Sequence, residues 1–336
     1  MGQSSREIVR AALRFEGPER LPVRMACFGR DDTVWFAHVK ADRTENGVQV
    51  DEWGCRWDRT NVANMGQPKG HPLADVSECD RLTVPDYGED ARFAHVPEAL
   101  ALAEREGRYT QAGIFMILFE RMHAAAGFEN VMVGLLEDPE STGALADRIV
   151  EAQLRLVRGY QERFGRRLDS FGMTDDWGTQ QAAFVSMDLW YEFFFPRYRR
   201  LFDAMHEGGQ DVWVHSCGKV NEIIRGYIDA GVDAVNLQQP RALGIEEIGR
   251  RYRGRIAFES LADIQATLPG GRLDRIEADA RALAEHWMTP QGGFVFSDYG
   301  DDRAIGADPG AKRAMYRAFS RVSEELYGQP LPEPLA

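Results

Sequence analysis

The segment Asp211–Val220, DVWVHSCGKV, joins a short apolar run to an imidazole, a hydroxyl and a thiol. Val212, Trp213 and Val214 read as a buried strand. His215 and Cys217 stand two residues apart, so both can face one centre if the strand alternation continues through them. Imidazole nitrogen and thiolate sulfur form a zinc-type donor pair that needs a third or fourth ligand from elsewhere in the chain. Taken alone, the same pair also describes a packed histidine beside an inert thiol. Four further apolar runs end in the same manner. Leu168–Met173 leads to Asp175 and Asp176, Ala234–Leu237 to Gln238 and Gln239, Ile256–Phe258 to Glu259, and Phe294–Phe296 to Asp298 and Tyr299. Acid, imidazole, thiol, amide and phenol at five successive strand ends are more than loop polarity requires, and they point to one site on a shared face. Asp175 and Asp176 are candidates for acid–base work or for a turn cap, and Tyr299 for a general acid or a stacking wall. Gln238, Gln239 and Trp177 are candidates for substrate contact, with loop support as the simpler role of the glutamines.

Such residues need a frame that delivers strand ends to one place. Ser5 can cap a first helix running to Phe15, and Arg20–Cys27 reads as a first strand. Val48–Thr60 alternates like a hairpin with a bend at Gly54, and Gly66–Pro85 is a Gly- and Pro-rich surface excursion. From there strands and helices alternate. Helical patterning covers Phe115–Ala126, Asp138 and Pro139 open a helix with a 3.6-residue apolar stripe, and another amphipathic helix covers Asp188–Glu207. The strands are brief apolar runs, as expected when both faces are covered. No glycine-rich dinucleotide fingerprint follows any of them. The expected fold class is α/β: a single distorted (β/α)8 TIM barrel over 1–336. An N-terminal elaboration (1–95) holds the first strand and the hairpin, and the regular alternation occupies 96–330.

Composition narrows the function classes. The net charge of −13 over 336 residues argues against nucleic acid or an anionic membrane as partner. There is no apolar leader and no apolar run of spanning length. Cys27, Cys55, Cys79 and Cys217 are scattered without a CxxC pair, which suits free thiols in a reducing cytoplasm. Cys27 and Cys55 are expected to be buried small hydrophobes. A small-molecule substrate is the expected ligand.

The run SMDLWYEFFFPRYRRLFDAMHEGGQDVWVHSCGKV from Ser186 to Val220 resembles the uroporphyrinogen decarboxylase superfamily. VDAVNLQQPRALGIEEIGRRY and GFVFSDYG continue the resemblance, and PERLPV, DEWGCRW and GIFMILFERMHAAAGFEN extend it towards the start. It implies a distorted TIM barrel with its site at the carboxyl ends of the strands, often paired as a homodimer. One branch decarboxylates a porphyrinogen without metal, gripping carboxylates with arginines after the first strand. Here that stretch is MACFGRDD, with only Arg30 close by. A second branch comprises zinc-dependent methyltransferases that work with a corrinoid protein. They bind zinc through a His-x-Cys pair and a cysteine near the last strand. His215 and Cys217 match the pair, whereas the last strand offers Ser297, Asp298 and Tyr299. The resemblance therefore implies zinc held by His215, Cys217 and a carboxylate, Asp298 or Glu259. It further implies methyl transfer between a small substrate and a corrinoid on a separate protein, since the chain has no corrinoid-binding DxHxxG motif. Asp176 or Tyr299 would manage the proton. A metal-independent lyase acting on a small carboxylated substrate is the first alternative, and a non-catalytic ligand-binding barrel the second.

Overall fold

The computed structural model describes residues 2–58, 66–269, 271–307 and 309–335. A nine-stranded sheet forms a barrel wall. In chain order its strands are β1 (Val23–Met25), β2 (Arg30–Asp31), β3 (Thr33–Ala37), β8 (Tyr109–Ile114), β9 (Ser170–Thr174), β10 (Asp211–His215), β11 (Ala234–Asn236), β12 (Ala257–Ser260) and β13 (Phe294–Ser297). Between β3 and β8 the chain makes a second, antiparallel sheet from β4 (Arg43–Glu45), β5 (Val48–Val50), β6 (Arg56–Asp58) and β7 (Gln67–Gly70). Around the wall the order is β2-β1-β13-β12-β11-β10-β9-β8-β3, so its two edges, β2 and β3, are separated by one residue, Asp32. All ladders are parallel except β1–β2. The α/β barrel inferred from alternation is thus the observed fold.

Asp32 makes that junction possible. It is buried, accepts Val23 N–H at 2.8 Å, and takes both guanidinium nitrogens of Arg20 at 2.7 Å. Below the wall, the helix Ser5–Leu13 plugs the barrel. Its cap is Ser4 rather than Ser5, in a capping box with Glu7. Val9 and Leu13 of this helix pack with Tyr109, Trp213, Ala234, Ala257 and Val295, while Arg6 and Arg10 both reach Asp169, at 2.8 and 2.6 Å. With the floor closed, the lumen opens only at the carboxyl ends of the strands.

The expected hairpin is β5–β6, with Gly54 at the bend in the left-handed region (φ +88°), and it grows into a four-stranded sheet. Arg59 and Thr60, the end of that expected hairpin, lie outside the described residues. This sheet is tied to the barrel through Asp51, whose carboxylate accepts Trp53 N–H (3.0 Å), Cys55 N–H (2.8 Å), Trp57 Nε1–H (3.2 Å) and the buried Arg121 guanidinium (2.9 Å). Removing one partner of such a pair strands the other charge, so Asp51→Ala should cost about 3–5 kcal/mol. Denaturant unfolding checks this, and a midpoint equal to wild type would show the tie to be dispensable.

Two boundaries differ from the sequence reading for physical reasons. The helix expected from Phe115 begins at Phe119, because a carboxylate from another strand caps it there and Met116 adopts φ +59°. The helix expected over Asp188–Glu207 carries a π-helical turn at Trp190–Phe194, just before Pro196, which has no N–H to continue the ladder. The four cysteines are free; Cys55 is buried as expected, but Cys27 is exposed. No helix among the described residues is long and apolar enough to cross a membrane.

Candidate active site

The strand ends surround a cavity of about 1520 Å³. Two loops, one after β9 and one after β10, meet at its edge. Trp177 N–H donates to Ser216 Oγ at 3.1 Å, and Cys217 N–H donates to Asp176 Oδ1 at 2.8 Å. The contact is so close that a Cβ on Gly218 (φ +82°) would lie 2.2 Å from the Gly178 carbonyl oxygen, so this position requires glycine.

Three ligand-type side chains converge there. His215 Nε2 lies 3.2 Å from Cys217 Sγ and 3.7 Å from Asp176 Oδ1. Among the described residues this is the trio whose ligand atoms all fall within 4.8 Å of one another. On the opposite side of the ring, His215 Nδ1 is 2.6 Å from Asn236 Oδ1. The amide oxygen accepts only, so Nδ1 carries the proton and the Nε2 lone pair points towards Cys217 and Asp176. Burial, and then the Asp176 carboxylate, push the Cys217 thiol far up. A desolvated thiol beside a carboxylate and a free imidazole lone pair lacks a cation, and a divalent metal would supply it. Nitrogen, sulfur and oxygen donors with one position left open suit a catalytic zinc. The residues present fit the metal.

The other carboxylates expected as ligands are engaged elsewhere. Asp298 is bonded to the buried Lys312 at 2.7 Å, and Lys312 also holds the Tyr299 carbonyl at 2.8 Å. Glu259 pairs with Arg24 at 3.1 Å. Both line the cavity, but neither joins the His215–Cys217 trio.

Asp175 is fully buried and does not line the cavity. It accepts Leu118, Phe119 and Glu120 N–H at 3.2, 2.9 and 2.7 Å, capping the helix Phe119–Ala126, and also takes the Tyr198 hydroxyl. Trp177, expected against substrate, is likewise core. It stacks on Phe119 with ring centroids 4.1 Å apart and donates from Nε1 to Tyr198 at 3.1 Å. Arg30 lies outside the cavity lining, its Nε–H bonded to the Glu333 carbonyl at 2.6 Å. Gln238, Gln239 and Tyr299 do line it, with Gln239 Oε1 also accepting Gly218 N–H at 3.2 Å. Burial and the neighbouring Cys217 raise the Tyr299 phenol, so it keeps its proton at neutral pH.

Glu120 escapes a reading based on strand ends, and Asn236 escapes it because the expected strand runs on to Leu237. Glu120 sits on a helix start, a lone acid after GIFMILF; Asn236 is the last β11 residue, in register with His215. Glu120 is buried in the cavity wall with Oε2 unpartnered. Burial, then the carboxylates of Asp176 and Asp175, push it up to about 8. Burial raises Asp175 as well, but the four donors on its oxygens favour its anion, so the proton of this acidic cluster sits on Glu120.

The model of the family described as Uroporphyrinogen decarboxylase (URO-D) matches residues 60–298. The chain belongs to the uroporphyrinogen decarboxylase family. No curated protein matches the sequence. Among solved structures, a methyltransferase from Methanosarcina mazei is similar at 18% identity and a TM-score of 0.61, covering 80% of this chain and 76% of that one. Xylanase 10B from Thermotoga maritima is similar at 11% identity and a TM-score of 0.42, over 69% of this chain and 81% of the xylanase. At 18% identity the likeness to the methyltransferase is one of fold.

Proposed function

We propose that this family member is a zinc-site methyltransferase, moving a methyl group between a small substrate and a corrinoid carried by another polypeptide. The observation that carries the reading is the Asp176–His215–Cys217 trio beside a cavity of substrate size. Asp176 takes the place that Asp298 or Glu259 was expected to fill. When bound, zinc supplies Lewis-acid polarisation of the substrate heteroatom that carries the methyl group. An oxygen-containing donor set makes it a harder acid, suited to an oxygen- or nitrogen-bearing substrate.

The chain's own groups account for the rest. Asn236 fixes the His215 tautomer. Asp175 fixes the first turn of the helix that presents Glu120. Glu120 holds a proton in the cavity wall and delivers it to the heteroatom as the methyl group departs. The Tyr299 hydroxyl, also protonated, lines the same space. Glu120→Gln should therefore lower kcat by about 10²–10⁴-fold while leaving the metal content unchanged. Steady-state kinetics with metal analysis checks this, and an unaltered kcat would remove Glu120 from the chemistry.

The lining weighs against a substrate with many carboxylates, such as a porphyrinogen. Among the described residues it presents nine Asp and Glu against four Lys and Arg, and Arg30 is absent from it. Such a wall repels a polycarboxylate. The direct test of the reading is methyl transfer to free reduced cobalamin from candidate methyl donors. Zinc-dependent formation of the methylated corrin supports it, whereas release of carbon dioxide from a carboxylated substrate without metal would replace it with the lyase.

A further inference from the structure

The lumen of a (β/α)8 barrel is normally filled by layers of bulky, branched side chains. Here the layer nearest the mouth is thin on one side. Beside Ile114 and Met173, the cavity lining near the ends of β3, β8 and β9 includes the small residues Ala37, Gly113, Gly172 and Thr174, and Gly113 lies in register with Gly172 across the β8–β9 ladder. The indole of Trp35 occupies the space this leaves. A Cβ on Gly113 would fall 2.4–2.7 Å from three of its ring atoms, so the ring rests on bare backbone. Trp35 is nevertheless 56% exposed, whereas Trp53, Trp177, Trp190, Trp213 and Trp287 are all buried. An indole held in a cavity with its face uncovered is a surface waiting for a flat partner.

The wall continues to Phe115, whose ring lies 6.0 Å from that of Trp57 and has the Lys40 ammonium 4.8 Å from its centroid. Lys40 differs from the other cations of the lining. Arg24 faces Glu259, Arg121 faces Asp51 and Arg303 faces Asp301. Among the described residues no carboxylate comes within ion-pair distance of Lys40. The acids nearest to it are taken by other donors: Asp51 by Arg121, Glu52 by Arg92 and His38, and Asp42 by the Glu52 N–H. Asp42, Glu52 and Asp51 act on Lys40 only from beyond ion-pair distance, and an ammonium without a direct partner at the edge of an aromatic wall favours a single negative charge.

We infer that the substrate is a planar aromatic molecule bearing one anionic group, its ring against Trp35 and Phe115 and its anion on Lys40. This rests on the reading that the cavity receives the substrate, and on neither the metal nor the methyl group. The test is calorimetric titration of metal-depleted, full-length protein with benzoate, benzamide and cyclohexanecarboxylate. Benzoate should bind about tenfold more tightly than each of the others. Lys40→Met should remove its advantage over benzamide, and Trp35→Leu its advantage over cyclohexanecarboxylate. Both side chains are exposed, so both variants should melt with wild type. Equal binding of the three ligands, no binding of any, or a benzoate advantage that survives both substitutions would overturn the inference. Failure would leave the methyl-transfer reading standing, because no metal is present and no methyl group moves. Failure of that reading would in turn leave this titration unaffected.

Discussion

Cys217→Ser should release the metal and abolish methyl transfer. The substitution removes the one sulfur donor of the trio, and a serine hydroxyl at neutral pH is a poor replacement for a thiolate. Changes outside the ligand set typically cost about 10–100-fold in metal affinity, and loss of a ligand should exceed that range. The fold should survive, since Cys217 sits in a loop whose backbone bond to Asp176 does not involve sulfur. Asn236→Ala supplies the graded comparison. It leaves every ligand in place but frees the His215 ring, and so falls within the smaller range. Competition with a chelator of known affinity measures both. Equal affinities for wild type and Cys217→Ser would remove the thiol from the site.

Asp175→Ala should be the most destabilising single change at this face. The carboxylate satisfies three N–H groups at the start of the helix Phe119–Ala126 and one buried hydroxyl. These donors are buried, so removing the carboxylate strips each of its partner. Each buried donor left unsatisfied costs about 1–3 kcal/mol, so the total should be at least about 3 kcal/mol. Because the same cap orients Glu120, activity should fall together with stability. Asp175→Asn keeps one acceptor oxygen but turns an amide towards N–H donors, and should recover only part of the loss. Denaturant midpoints rank the three proteins, and an Asp175→Ala variant as stable as wild type would contradict the capping role.

The barrel was legible because its determinants are local: short apolar runs, helix caps such as Asp138–Pro139, and Gly or Pro at the breaks. The gathering of polar strand ends around one cavity was legible for the same reason, since a strand that stops at a polar residue marks its own end. Roles were harder to read, because they depend on which neighbours a side chain meets. Asp175 and Asp176 are adjacent in sequence, yet strand alternation sends one into the core beneath a helix and the other into the cavity. Asp298 looked available as a ligand until Lys312, 14 residues away on the last helix, is seen to claim it. Trp177 could be a substrate wall or core, and the stack on Phe119 decides for core. Glu120 could not be found from strand ends because it reaches the cavity from a helix start that Asp175 creates. Arg30 was the nearest arginine in sequence, but the side chain that enters the cavity from that strand is Arg24.

A metal centre built from Asp176, His215 and Cys217 stands or falls on metal content. The proteins to compare are wild type, Asp176→Ala and Asp298→Ala, purified without added zinc. Wild type and Asp298→Ala should carry about one zinc per chain, and Asp176→Ala little. A folded wild type free of metal, or zinc retained by Asp176→Ala and lost from Asp298→Ala, would contradict it.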